Sequence, residues 1–160
     1  MFTNVQKLAS KTVYLCMAKK CDLRHLFRNK RSGLSSDEIS SASTLILNQV
    51  INGKLIKGKL VMIYISSQNH QELPTDGLFL LSEHYDVCVP KAVNKNGSME
   101  AIMWSKDMPT RINEWGIKEP LSDIYIKPEK IDTVIVPLIC FDKLGHRIGF
   151  GKGYYDRFLE

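Results

Sequence analysis

The sequence predicts an α/β fold: a single three-layer domain whose mostly parallel sheet is covered by helices, with an antiparallel excursion at one edge. Three observations carry this expectation. Short β-branched apolar runs alternate with stretches of helical periodicity, the pattern of a covered parallel sheet. A polar turn, Asn94-Lys95-Asn96-Gly97, joins two strand-like runs and marks the excursion. A chain of 160 residues with 44% hydrophobic content can bury one core and leaves no room for two substantial domains.

The elements follow in chain order. Lys20, Arg24, Arg28 and Arg31 recur at helical spacing and form one basic stripe, with Leu23, Leu26 and Phe27 turned elsewhere. Like charges four residues apart repel, so an anion would relieve the stripe, although the spacing alone favours a solvated helical face. Ser35-Ser36-Asp37-Glu38 is a capping box, and Ile39, Ala42, Leu45, Ile46 and Val50 supply the apolar stripe of the helix it opens. Residues 60–65 read as a buried strand. Pro74 suits the first turn of a helix reaching residue 81. Residues 86–90 and 99–104 read as strands flanking the polar turn. The β-branched run 133–141 reads as another buried strand, ended or bent by Pro137.

After a turn at Asp142-Lys143-Leu144-Gly145, residues 145–157 hold four glycines, three cations and a carboxylate, and a helix is expected from about Gly153. Glycines let backbone N–H groups turn toward an anion without a Cβ in the way. Arg147 and Lys152 add full charges, and Asp156 offers a metal ligand. The spacing matches neither the P-loop nor the dinucleotide fingerprint, so a plain strand-to-helix turn remains open on glycines alone. A loop of this kind after a buried strand lies where open α/β sheets bind ligands.

Charge is uneven. Residues 1–34 carry eight Lys or Arg against the single Asp22, within a chain of net charge +5. Basicity confined in this way fits a site gripping phosphate or carboxylate groups better than a nucleic-acid surface. Cys16, Cys21, Cys88 and Cys140 form no C-x-x-C pair and no zinc spacing, which suggests a reducing cytoplasm with Cys88 and Cys140 as packing residues. No eighteen-residue apolar stretch or signal-peptide core is present, so no membrane partner is expected. His25, His70, His84 and His146 share no ligand spacing. Trp104, Trp115, Tyr154 and Tyr155 are packing residues by default, Tyr154 having the best functional claim. Glu119 before Pro120 serves either a turn or a site.

Residues 137–142 (Pro-Leu-Ile-Cys-Phe-Asp) and 145–159 (Gly-His-Arg-Ile-Gly-Phe-Gly-Lys-Gly-Tyr-Tyr-Asp-Arg-Phe-Leu) together resemble the signature of the 5-formyltetrahydrofolate cyclo-ligases, also called methenyltetrahydrofolate synthetases. Lys20-Cys21-Asp22-Leu23-Arg24 resembles the family's Lys-x-x-Leu-Arg nucleotide contact, and Glu72-Leu73-Pro74-Thr75 its Glu-x-x-Thr substrate segment. Trp115-Gly116-Ile117-Lys118-Glu119-Pro120 resembles a further family landmark. The resemblance covers most of residues 17–160.

It implies ATP-dependent cyclisation of 5-formyltetrahydrofolate to 5,10-methenyltetrahydrofolate, with Mg2+, in a cytoplasmic monomer. Arg147 and Lys152 would be catalytic. ATP would meet Lys20, Arg24, Arg147, Gly149, Gly151, Lys152, Gly153, Tyr154 and Tyr155. The folate would meet Arg24, Glu72, Phe150, Gly151, Lys152 and Tyr154, and Asp156 would ligate the metal. Residues 1–16 then read as an N-terminal extension, or as an upstream start before Met17. Family members usually run on past the position of Glu160, so the domain over 17–160 is expected to lack their C-terminal part. A non-catalytic folate- or nucleotide-binding relic is the alternative. A basic RNA-binding domain is the third reading, weakened by the lack of an aromatic base-stacking motif.

Overall fold

The computed structural model describes residues 19–67, 69, 72–93, 97–113 and 116–160. The expected N-terminal extension, the alternative start at Met17, Cys16, His70, the turn residues Asn94 to Asn96 and Trp115 lie outside the described residues. The chain divides into two compact units. One comprises described residues 19–33 with 138–151, and the other 34–137 with 152–160.

The larger unit carries the three layers. Its five-stranded sheet has the order β6-β3-β2-β1-β7, with β1 at Leu60–Ile63, β2 at Asp86–Ala92, β3 at Met99–Met103, β6 at Tyr125–Ile126 and β7 at Thr133–Ile135. β1 pairs in parallel with both β2 and β7, whereas β3 runs antiparallel to β2 and to β6. Four strands therefore point one way and β3 alone is reversed, the predicted excursion at one edge. A separate hairpin pairs β4, Thr110–Ile112, with β5, Lys118–Pro120.

Side chains of β1 alternate between the faces, as the two-residue period of a strand requires. Val61 and Ile63 pack with Val87, Leu78 and Leu81 beneath Leu47 and Val50. Leu60 and Met62 pack with Cys88 and Ala101 on the other face, against Tyr155 and Phe158. All four β1 residues are buried because helices cover both sides. The upper layer is α2, Ser36–Asn52, with a 3-10 segment at Asp76–Glu83; the lower layer is α3, Tyr154–Leu159.

The capping box forms as read. Glu38 N–H donates to Ser35 Oγ at 3.2 Å, and Ser35 N–H donates to Glu38 Oε2 at 2.8 Å. The apolar stripe of α2 differs from its expected course. Leu45 is 63% exposed and Ile46 is exposed, while Leu47 packs against the core, so the half-buried face runs through Ile39, Ala42, Leu47 and Val50. Pro74 does not enter a helical turn. It precedes Thr75, which caps the 3-10 segment and is itself buried.

The run 133–141 is not one strand. Thr133–Ile135 joins the main sheet, and Cys140–Phe141 forms β8, paired with β9 at Arg147–Ile148 in the smaller unit. Pro137 lies between them. It has no N–H for a ladder, and the strand ends before it. In the smaller unit α1, Lys20–Ser32, buries Leu23, and Ile139 N–H extends the hairpin ladder to Ile148 O at 2.8 Å.

The register of β1 against β7 is locked by side chains at the start of β7. Asp132 Oδ2 accepts from Lys59 N–H at 2.7 Å and Leu60 N–H at 2.9 Å. Thr133 Oγ1 accepts from Lys57 N–H and donates to Lys57 O. Gly58 makes room for this, since a Cβ there would fall 2.1 Å from Asp132 Cγ at a φ of +71°.

The two amides at Leu60 and Lys59 hold the Asp132 carboxyl below its ordinary value. Because the folded-state value is the lower one, this contribution is complete above about pH 4 and is lost as pH falls through the folded value. Asp132→Asn is expected to flatten the acid limb of the stability profile, read by denaturant unfolding at a series of pH values below 5. An acid limb as steep as in the unaltered protein would sink this account.

Candidate functional site

The predicted site residues fall into two groups, one in each unit, and the glycine loop passes from one unit to the other after Gly151. In the smaller unit the basic stripe of α1 is turned toward chain 138–151. Arg24 Nε donates to Gly149 O at 2.9 Å. Arg28 lies over the ring of Phe150, 5.9 Å from its centroid. Arg31 Nη2 donates to Leu138 O at 3.0 Å and Ile139 O at 3.2 Å. The stripe is thus solvated only in part: carbonyls of chain 138–151 accept from Arg24 and Arg31, while Arg28 is exposed. Lys20, in the first turn of α1, is exposed.

Gly151 has a φ of +109°, and a Cβ there would stand 3.4 Å from the Arg24 guanidinium carbon. An L-residue would be strained at that φ, although its Cβ would only touch the arginine at van der Waals distance. Arg24, Gly149 and Gly151 therefore form one local arrangement, with Phe150 under Arg28. Arg147 is exposed on β9, across from Phe141. Asp142 builds the hairpin turn, accepting from the Leu144 and His146 N–H groups at 2.9 Å each, and its other oxygen lies 2.8 Å from His146 Nδ1. His146 beside it holds the Asp142 carboxyl below its usual range. Burial pushes the Cys140 thiol up, against the opposing charges of Arg31 and Arg24.

In the larger unit the segment from Glu72 to Thr75 is fastened to the chain leaving β1. Thr75 Oγ1 donates to Tyr64 O at 2.7 Å and accepts from Ser66 N–H at 3.2 Å. Glu72 Oε2 accepts from Ser67 N–H at 2.8 Å, and Tyr64 Oη donates to Leu73 O at 3.1 Å. Glu72, half-buried, is thereby held at the carboxyl end of a central strand.

Gly153 adopts the left-handed conformation at φ +70° and opens the six-residue α3. Lys152 and Asp156 flank it, both exposed, with Tyr154 half-buried between them. Tyr155 points beneath the sheet, where its hydroxyl is buried and has no hydrogen-bond partner among the described residues. Burial raises the phenol's pKa, and the nearby Glu72, Tyr64 and Cys88 raise it further. Among the described residues no cluster of three or more His, Cys, Asp or Glu could cage a metal.

Three further residues gain roles from the structure. Glu119 is buried, accepts from Asn113 Nδ2 at 2.9 Å and faces Arg111 across the β4–β5 hairpin. Trp104 packs on Phe79 with ring centroids 4.9 Å apart. Arg157, to which the sequence reading gave no task, donates from Nε to Gly97 O at 3.1 Å and from Nη2 to Lys152 O. Its position four residues after Gly153 was the only local signal.

Comparison with known proteins gives a consistent result. The profile of the 5-formyltetrahydrofolate cyclo-ligase family matches residues 16–160. A 5-formyltetrahydrofolate cyclo-ligase of Mycoplasma genitalium is 33% identical over 152 residues, 90% of this chain and 78% of that one. A probable 5-formyltetrahydrofolate cyclo-ligase of Schizosaccharomyces pombe is 29% identical, with 89% and 72% covered. The solved 5,10-methenyltetrahydrofolate synthetase of Aquifex aeolicus superposes with a TM-score of 0.68 at 30% identity, covering 88% of this chain and 71% of that one. That of Mycoplasma pneumoniae gives 0.66 at 26% identity, covering 89% and 77%.

A buried hydroxyl without a partner costs about 1 to 3 kcal/mol. Tyr155→Phe is therefore expected to raise the stability of the ligand-free protein by about 1 kcal/mol in denaturant unfolding. A loss of similar size would mean that the hydroxyl makes a bond after all.

Proposed function

Because this chain belongs to the 5-formyltetrahydrofolate cyclo-ligase family, we propose that it closes 5-formyltetrahydrofolate to 5,10-methenyltetrahydrofolate with consumption of ATP. The family match over residues 16–160 carries this reading. The local seating of Arg24 on Gly149 and Gly151 supports the loop as its phosphate-binding part.

The formyl oxygen is a poor leaving group. In the proposed reaction it bonds to the γ-phosphorus of ATP while the bond from that phosphorus to the ADP oxygen breaks. N10 then adds to the activated formyl carbon, the former formyl oxygen departs within phosphate, and N10 loses its proton as the methenyl bridge forms. The protein's task is to position the partners and neutralise charge, since phosphoryl transfer needs little covalent help.

Arg147 and Lys152 supply full charges toward the phosphates, with Lys20 and Arg24 on the nucleotide side. Gly149 leaves the loop backbone without a Cβ, and Gly151 and Gly153 adopt positive φ angles that other residues avoid. Tyr154 offers a ring for stacking, while Tyr155 secures α3 against the sheet. Glu72 orients the pterin or formyl end, and Phe150 lines the folate side. Asp156 would hold Mg2+ together with phosphate oxygens; bound there, the cation would offset phosphate charge. Residues 17–160 form the catalytic portion in this reading. No helix among the described residues is long and apolar enough to cross a membrane.

Appearance of the methenyl product's absorbance only when ATP and magnesium are both present tests the reaction. Lys152→Ala is expected to lower turnover about a hundredfold, the usual loss on removing one donor from a developing anion. Turnover at the unaltered rate would remove Lys152 from the phosphate site. Binding of ATP or 5-formyltetrahydrofolate without turnover in the unaltered protein would favour the relic.

A further inference from the structure

We infer that Arg157 is a positioning residue that sets the Lys152 backbone by tying it to Gly97, which lies 60 residues before Arg157 in the chain and just ahead of β3. The inference rests on the reading of Lys152 as a phosphate contact. The guanidinium spans two carbonyls: Nε donates to Gly97 O at 3.1 Å, and Nη2 donates to Lys152 O. Gly97 directly precedes the Ser98–Met99 entry to β3, so the clamp joins the loop to a strand of the main sheet.

The glycines around it are cut to the arginine's shape. Gly97 lies at φ +90°, and a Cβ there would fall 1.6 Å from Arg157 Nη2. Gly153 lies at φ +70°, and a Cβ there would fall 2.9 Å from Nη1. Both positions therefore combine a conformation that side chains avoid with a gap filled by one guanidinium. A planar fork with fixed donors can hold two carbonyls at once, which an ammonium on a flexible stem does not reproduce. Arg157 N–H also donates to Gly153 O at 3.2 Å, so the clamp springs from the first turn of α3, one residue beyond Asp156. Lys152 is exposed, and the position of its backbone sets the point from which its side chain departs. Fixing its backbone supplies the orientation on which phosphoryl transfer depends.

The test is a double-mutant cycle on kcat/KM for ATP, using Arg157→Ala, Lys152→Ala and the combination, with thermal unfolding of each. Arg157→Ala alone is expected to lower kcat/KM about tenfold, and to change nothing further once Lys152 is alanine. Arg157→Lys should restore less than half of the loss. Additive losses, with Lys152→Ala itself impaired, would overturn the clamp while leaving the phosphate reading intact. An unimpaired Lys152→Ala would overturn the phosphate reading, and the clamp with it. Full recovery in Arg157→Lys would also overturn the clamp, because charge alone would then suffice. If Arg157→Ala does not fold, Arg157→Lys takes its place in the cycle, with the same non-additivity expected and additivity overturning the inference.

Discussion

Burial of β1 on both faces is the constraint from which the larger unit is organised. Four consecutive apolar residues can all leave water only if each face of the strand finds its own cover. α2 with the 3-10 segment serves one face, and α3 serves the other. The strand also needs hydrogen-bonding neighbours on both edges, which β2 and β7 provide in parallel. Asp132 and Thr133 bind the backbone just before β1, and this fixes the register in which those neighbours meet. A slip of one residue would exchange the two faces and expose what each cover was built to bury.

The chain leaving β1 inherits that rigidity. Thr75 closes onto Tyr64 and Ser66, so Glu72 is presented by a segment anchored at both ends rather than by a free loop. The glycine loop is constrained differently. Positive φ at Gly151 and Gly153 frees the backbone from ordinary limits, and arginines then restrict it again through their guanidinium groups: Arg24 at Gly149 within the smaller unit, and Arg157 at Lys152 within the larger. Glycine permits the conformation, and arginine selects it.

Elements governed by short-range chemistry were legible. The Ser35 to Glu38 capping box, a buried strand starting at Leu60 and the reversal into β3 all follow from residues close in sequence, although the strand ends at Ile63 rather than at residue 65. The course of the α2 stripe was less so, because Leu45, Ile46 and Leu47 each sit within about one residue of the ideal apolar line. Which of them turns inward depends on where the 3-10 segment places Leu78 and Leu81. The run 133–141 misled for a similar reason. Apolar β-branched residues announce a strand but not its sheet, and Pro137 supports a bend as readily as the observed break. The basic stripe of α1 was visible as a pattern, yet its partners at Leu138, Ile139 and Gly149 are more than a hundred residues away.

By itself, the sequence determined the α/β class, the positions of the main strands and helices, the family, and the list of charged and glycine residues from which a phosphate site can be built. Those properties depend on local periodicity, on the allowed angles of glycine and on an ordered signature, all of which survive in one dimension. Only the tertiary structure decided that Arg31 grips carbonyls, that Tyr155 buries its hydroxyl beneath the sheet, and that Arg157 joins Lys152 to Gly97. Each of these is a directional contact between residues distant in the chain. Hydrogen bonds require ångström-scale geometry, and that geometry exists only after the strands have chosen their register and the helices their faces.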